Sequence, residues 1–272
     1  MTAFVKKVIS IMIIASALLW CGAAFAVQDS FVPEDILAKR AESRFDADVD
    51  EDDDFDPYAY SLSDIVIGID PGHQQEADSE QEPVYPDDDR KTKDRMSPGA
   101  FGVRSGIAEY EVNLAVSLKL AEYLRAAGAT VILSCTANDV NISNIERAQM
   151  MNEADVNFWL RIHCNSSLYQ RTNGALIIAP DKGMDIHDSS VALGKQVLAG
   201  FCAATGAACK GVSYTSTQTG FNWSKVPVVT IEMGYLSNPR EDVLLGRESY
   251  RNICAAGIFT GIAAYCAEED EA

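Results

Sequence analysis

The chain has 272 residues, 47% of them hydrophobic, and a formal net charge of -18. Once any targeting segment is set aside, that length suits a single domain. So acidic a surface repels phosphate backbones, which argues against nucleic acid as a partner, and nothing draws it electrostatically to anionic wall polymers or lipid headgroups.

At the N-terminus Lys6 and Lys7 precede residues 8–27, an apolar run in which serine is the only polar side chain, with Ala24-Phe25-Ala26 near its end. Basic flank, apolar core and small-residue site read as a secretory signal peptide over residues 1–26. An uncleaved membrane anchor is the competing reading, because about 20 apolar residues can cross a bilayer. Both place the rest of the chain outside the cytoplasm. Cys21 makes a poor lipoprotein site, since Trp20 stands before it where a small residue is expected. Cleavage would remove Lys6 and Lys7 and take the charge from -18 to -20. Six cysteines would remain (Cys135, Cys164, Cys202, Cys209, Cys254 and Cys266), an even number that permits disulfides in an exported protein. Cys202 and Cys209 flank Gly206 closely enough for a local bridge; the alternative is that all six are small buried residues.

Residues 27–63 are polar and culminate in an aspartate-rich run at 46–56, a composition that cannot bury enough apolar surface to order itself and reads as a tether. Its Asp-x-Asp-x-Asp start is not a calcium loop, because Glu51 stands where glycine is needed and Pro57 where the bidentate glutamate belongs. Residues 64–267 form the folded domain and 268–272 an acidic tail. Within the domain a strand at 65–70 is followed by an irregular charged segment at 74–105. A helix at 108–127 stops at Gly128, and a strand follows at 130–134. Ser143-Asn144-Ile145-Glu146 is a capping box that opens a helix running to 153. Strands at 156–163 and 175–179, a helix at 186–204, a buried strand at 226–233 and a final helix at 249–266 complete the chain. Alternating strands and helices predict one three-layer α/β domain, a mostly parallel twisted sheet covered by helices on both faces. No repeat or second module is present, and nothing in the sequence points to an oligomer.

Three of the strands end on residues able to bind or serve a metal: the first runs into Asp70-Pro71-Gly72-His73, the second into Ile162-His163, the third into Ile231-Glu232. Ligands of open parallel sheets gather beyond the carboxyl ends of the strands. If these three are neighbours, His73, His163 and Glu232 meet at one edge, and two imidazoles with carboxylates suit a catalytic Zn²⁺. Strand alternation puts Asn165 on the face of His163 and turns Cys164 away. Asp70 either orients a ligand or caps the turn. A carboxylate from the following helix would complete the set, but periodicity does not choose among Glu109, Glu111 and Glu122. Glu232 could instead be a buried carboxylate paired with Arg161 or Arg147. Trp223 and Tyr235 offer flat surfaces for sugar or peptide, or pack in the core. His187 falls at a polar helix start and reads as solvent-facing.

His73 in Asp-Pro-Gly-His, Glu109 in Glu-Tyr-Glu-Val-Asn-Leu, His163 in Ile-His-Cys-Asn and Glu232 in Glu-Met-Gly-Tyr-Leu-Ser-Asn-Pro occur in one order. In this the chain resembles the zinc-dependent N-acetylmuramoyl-L-alanine amidases of bacterial cell walls, type 3, over about residues 64–265. The resemblance implies His73, Glu109 and His163 as zinc ligands, Glu232 as catalytic base, and Asn165 and Trp223 as substrate contacts. The substrate would be peptidoglycan and the setting extracytoplasmic, with membrane attachment through the N-terminal segment left open. The same metal chemistry would serve a zinc carboxypeptidase or endopeptidase. A non-catalytic wall-binding domain would lack a ligand or the base, and no G-x-S-x-G supports a serine hydrolase. The gap between His73 and Glu109 is longer than in the family. The inserted residues 74–98, with Glu76, Glu80, Glu82, Arg90, Lys91, Lys93 and Arg95, form a solvated loop, a lid over substrate, or a lid whose glutamate takes the open zinc position.

Overall fold

The computed structural model describes residues 55–270. The expected signal segment and residues 27–54 of the expected tether lie outside the described residues. The last part of that expected tether packs on the domain. Phe55 and Tyr60 meet Phe259 edge-on at 5.3 and 5.1 Å between centroids, and the buried Leu62 donates its N–H to the Ala127 carbonyl at 2.8 Å. Aromatic residues at the end of the acidic run supply the apolar surface that the run itself lacks, so the folded body starts at Phe55 rather than at 64.

Eight strands are β1 (Val66–Pro71), β2 (Asp78–Tyr85), β3 (Asp88–Met96), β4 (Thr130–Leu133), β5 (Phe158–Asn165), β6 (Ala175–Pro180), β7 (Cys209–Thr215) and β8 (Val228–Tyr235). The α-helices are α1 (Glu109–Ala126), α2 (Asn144–Glu153), α3 (His187–Thr205), α4 (Thr219–Trp223), α5 (Pro239–Leu245) and α6 (Glu248–Asp270). Six strands form one sheet in the order β4-β1-β5-β8-β6-β7, parallel throughout except where β6 meets β8. The three strands that carry the candidate residues, β1, β5 and β8, are therefore adjacent. Every residue of β8 is buried, as expected of a strand covered on both faces.

Helices α1, α3 and α6 pack together on one face of the sheet; α2 and α4 cover the other. Phe158 stacks edge-on against Tyr265 of α6, whereas Trp159 lies in the cluster of Ala148, Met151 and Phe221 from α2 and α4. Alternation then places Arg161 and His163 on the α2 side and Cys164, fully buried, on the α6 side. Helices α3 and α6 approach closely through Gly200, Gly257 and Gly261, where a Cβ would run into the facing backbone. Ser143 accepts from the Glu146 N–H while Glu146 accepts from the Ser143 N–H, which fixes the start of α2. Gly206, at φ 70°, ends α3 in the left-handed region.

The segment 74–105, expected to be irregular, instead contains the antiparallel hairpin β2–β3. Its strands are mostly polar or charged at both alternating sets of positions, so no apolar face announces them. Polar contacts hold the hairpin to the body. Glu82 accepts the Ile145 N–H at 3.1 Å, Asn144 donates to the Arg95 carbonyl at 2.6 Å, and Arg95 pairs with Glu146 at 3.0 Å. Strand β7 and the short helices α4 and α5 are further additions to the expected elements. None of Cys135, Cys164, Cys202, Cys209, Cys254 and Cys266 forms a disulfide, the Cys202–Cys209 pair included. Among the described residues no helix is long and apolar enough to cross a membrane.

Candidate metal centre

His73 follows β1 in a left-handed backbone conformation, φ 66°, which a non-glycine residue adopts at a cost of about 1 kcal/mol or more. The arginines beneath it hold that turn. Arg147 donates to the carbonyls of Pro71 and His73 at 2.7 and 3.1 Å, and to Asp70 at 2.6 Å. Arg161 reaches the other Asp70 oxygen at 2.9 Å, and Ser134 donates to Asp70 at 2.6 Å. Asp70 thus neither touches a candidate ligand directly nor simply caps a turn. It is the fully buried centre of an Arg–Asp–Arg group that carries the Pro71–His73 backbone. Burial opposes its charge, but Arg147 and Arg161 outweigh that and hold the carboxyl well below the usual range.

Glu109, the first residue of α1, projects between the two imidazoles. Its Oε1 lies 3.2 Å from His73 Nε2 and 3.2 Å from His163 Nδ1. One ligand atom from each of the three residues lies within 4.8 Å of the others. The Cys164 N–H bonds Glu109 Oε1 at 3.1 Å and the Ala100 N–H bonds Oε2 at 2.8 Å, so the carboxylate has a fixed direction. Burial would raise this carboxyl, yet hydrogen bonds from His163 and His73 keep it ionised far into acid. The other glutamates do other work: Glu111 accepts the Ala108 N–H at the helix start, and Glu122 pairs with Lys119 on the surface.

His73 Nδ1 lies 2.9 Å from the Ser97 carbonyl, a contact that fixes the ring with Nε2 turned toward Glu109. Burial pushes His163 down to about 4, so its ring is neutral, and its Nε2 is buried with no hydrogen-bond partner. Two imidazoles, a carboxylate and an orphaned ring nitrogen fit a divalent cation of the zinc type. Two glycines make the space. A Cβ at Gly72 would overlap the His163 ring, and one at Gly99, already at φ 77°, would press within 2.9 Å of His73 and 3.0 Å of Glu109. Neither these glycines nor Ser97 carries a signal in the sequence beyond the Pro-Gly turn.

Glu232 faces His163 directly across the β5–β8 pair. The arginines that might have neutralised it are committed to Asp70, so no ion pair forms, and Glu232 Oε2 is buried without a hydrogen bond. Burial, reinforced by the negative charge of Glu109, pushes its carboxyl up to about 8. A cavity of about 370 Å³ opens over Glu109, His73, His163 and Glu232, with Asn165 in its wall. Asn165 Oδ1 accepts the Ser166 N–H at 2.7 Å, which secures the turn after His163. Trp223 is not in this wall: its ring packs on the Ala148–Met151–Phe221 core and its Nε1 donates to the Pro83 carbonyl at 3.2 Å. The core reading of that tryptophan therefore replaces the substrate-contact reading. Tyr235 is 9% exposed and His187 is held by the Pro180 carbonyl at 2.8 Å, half-buried rather than free in solvent. Neither Glu76, Glu80 nor Glu82 lines the cavity; Glu80 pairs with Arg95 and Glu82 holds α2.

A family model described as N-acetylmuramoyl-L-alanine amidase matches residues 67–264. The chain is 23% identical over 235 residues to the germination-specific N-acetylmuramoyl-L-alanine amidase of Bacillus subtilis, covering 80% of this chain and 87% of that protein. A Mycobacterium tuberculosis N-acetylmuramoyl-L-alanine amidase is 23% identical over 210 residues, covering 73% of this chain and 86% of its own length. Among solved structures, the N-acetylmuramyl-L-alanine amidase of Mycobacterium smegmatis superposes with a TM-score of 0.71 at 22% identity, over 76% of this chain and 99% of that one.

Proposed function

On the premise that the chain belongs to the N-acetylmuramoyl-L-alanine amidase family, type 3, we propose that it hydrolyses the amide between the lactyl group of N-acetylmuramic acid and L-alanine in peptidoglycan, with zinc held by His73, Glu109 and His163. The observation that carries the reading is the meeting of a His–Glu–His set with an unpaired glutamate, Glu232, at one sheet edge. When bound, zinc polarises the amide carbonyl and brings the pKa of a water at its open position to about 7.

The chain's own groups do the rest. The Ser97 carbonyl fixes the His73 ring with Nε2 turned toward Glu109, and the backbone N–H groups of Ala100 and Cys164 aim the Glu109 carboxylate. Glu232 takes the proton of the attacking water and returns it to the alanine nitrogen as that amine leaves. A carboxyl held near neutral by burial is poised for both directions of this transfer. The site belongs to an enzyme that meets its substrate outside the cytoplasm, and the apolar N-terminal run supports export.

Purified peptidoglycan incubated with zinc-loaded and with chelated protein tests this, with released fragments identified by mass spectrometry. The amidase releases stem peptides with a free N-terminal alanine and leaves glycan with free lactyl carboxyl groups, only in the loaded sample. Cuts within the peptide would instead mark a peptidase and overturn the assignment. Glu232→Gln keeps the metal and loses turnover by about 10²-fold or more, whereas His163→Ala loses both.

A further inference from the structure

A second cavity, of about 560 Å³, adjoins the first and shares His73, Ser97 and His163 with it. Its remaining wall is formed by Lys93, Asp94 and Met96 of β3, Arg161 of β5, Asn144 at the start of α2, and Gln218. Two cationic side chains, Lys93 and Arg161, and one carboxylate, Asp94, line it. Asp70 neutralises only one of the two guanidinium groups beside it, which leaves the Arg147–Asp70–Arg161 group with one net positive charge. Around Arg161, Asn144 Oδ1 accepts at 2.8 Å and Gln218 Oε1 at 3.3 Å, both neutral acceptors.

Lys93 adds a second cation, and its ammonium has neither a hydrogen bond nor an ion pair among the described residues. Two acids flank it and Glu82 acts on its charge, but neither forms an ion pair with it. Glu82, opposite Lys93 in the hairpin, turns Oε2 to the Ile145 N–H, and Asp94 Oδ1 accepts from Gln81 at 2.6 Å. Burial, with Arg161 nearby, holds the Lys93 amine down to about 8. In a chain of net charge -18, a partly buried ammonium left without a direct partner, facing a recess beside the candidate metal ligands, is an electrostatic exception.

With the scissile amide over His73 and His163, whatever occupies this recess flanks the bond on one side. The sugar flank is uncharged once its lactyl group is amidated, whereas a peptide flank carries carboxylates. We propose that the recess is a carboxylate-binding subsite for the stem peptide, with Lys93 as the direct partner and Arg161 as a fixed background charge. The proposal rests on the amidase reading for its choice of ligand, and it assigns the inserted hairpin a role in substrate selection.

The test uses zinc-loaded Glu232→Gln full-length protein, so that binding is read without turnover. Its ligands are soluble N-acetylmuramoyl peptides in matched pairs. One pair differs in whether the residue after alanine carries a free α-carboxyl or a carboxamide, the other in whether the peptide C-terminus is free or amidated. By calorimetry the free-carboxylate member of at least one pair binds roughly ten- to a hundredfold tighter, the range of a charge-assisted hydrogen bond. The pair that discriminates identifies which carboxylate is read. Adding Lys93→Met makes the two members bind alike, and Lys93→Arg restores part of the preference. Equal affinity within both pairs, or equal loss of both members in Lys93→Met, overturns the proposal. Failure of the amidase reading has a different signature: wild-type protein cleaves none of the four ligands while the carboxylate preference in binding persists.

Discussion

Replacing Glu232 by glutamine is expected to stabilise the metal-free protein, by an amount that grows with pH. The wild-type carboxyl is buried, makes no ion pair, and has its pKa pushed from 4.5 up to about 8. In the unfolded chain it ionises near the ordinary value, so between the two pKa values the unfolded state holds fewer protons than the folded state. Stability from this group is therefore complete below about pH 4 and is lost as pH rises toward about 8, at about 1.4 kcal/mol per pH unit. By about pH 7 the accumulated loss is about 3 kcal/mol, an upper figure because local relaxation admits some water. Glutamine does not titrate and escapes the loss. Urea denaturation of chelated wild-type and Glu232→Gln protein across about pH 4 to 8 reads the difference directly, and any constant offset from the amide cancels. A gap that stays flat within about 0.5 kcal/mol over that range would refute the view that Glu232 is held unpaired in a dry site.

Gly72→Ala puts a methyl group where the His163 ring lies, so zinc affinity is expected to fall by about 10- to 100-fold while the fold survives; unchanged affinity by competition with a chelator would count against the cradle. Asp70→Asn leaves two buried guanidinium groups facing each other and is expected to lower stability by about 3–5 kcal/mol near neutral pH. Because the native carboxyl is held below its ordinary 3.8, the wild-type advantage is present above that value and shrinks as pH falls through it, so a gap that stays undiminished in acid denaturation would contradict the assignment. Trp223→Ala removes packing on α2 and the bond to Pro83, with an expected loss of about 2–4 kcal/mol. Hydrogen exchange then speeds up in β2–β3; hairpin amides as slow as in wild type would show that this anchor is not needed.

How much of this was legible in the sequence depends on whether a residue's neighbours shared its purpose. Continuous apolar runs mark β1, β5 and β8, and a residue at the carboxyl end of each points to the candidate metal edge. Ser143 and Glu146 announced α2 because both halves of its cap are local. Glu109 was harder. At helical spacing Glu111 and Glu122 look the same, and the choice is made by the N–H groups of Ala100 and Cys164, one of them distant in sequence. The hairpin was missed because its stabilising partners are polar and lie on α2 and α4, so β2 and β3 carry no apolar period. Trp223 could not be placed either, since an aromatic next to a buried strand reads the same whether it meets sugar or Met151. The two arginines proposed as partners for Glu232 went to Asp70, an outcome decided by which carboxylate sits deeper in the sheet.

His163 and Glu232 stand opposite one another on hydrogen-bonded parallel strands, and that pairing has a consequence for how such a protein can diversify. The separation between the candidate metal edge and the proposed proton acceptor is set by the sheet's own spacing, so it cannot drift by small steps; a slip of one residue would turn one of the pair to the far side. Novelty must come from what is hung on the ends of those strands. A polar ribbon fastened by a few bonds to a neighbouring helix is the kind of attachment that can be lengthened, trimmed or recoloured with charge while the chemistry beneath it stays the same.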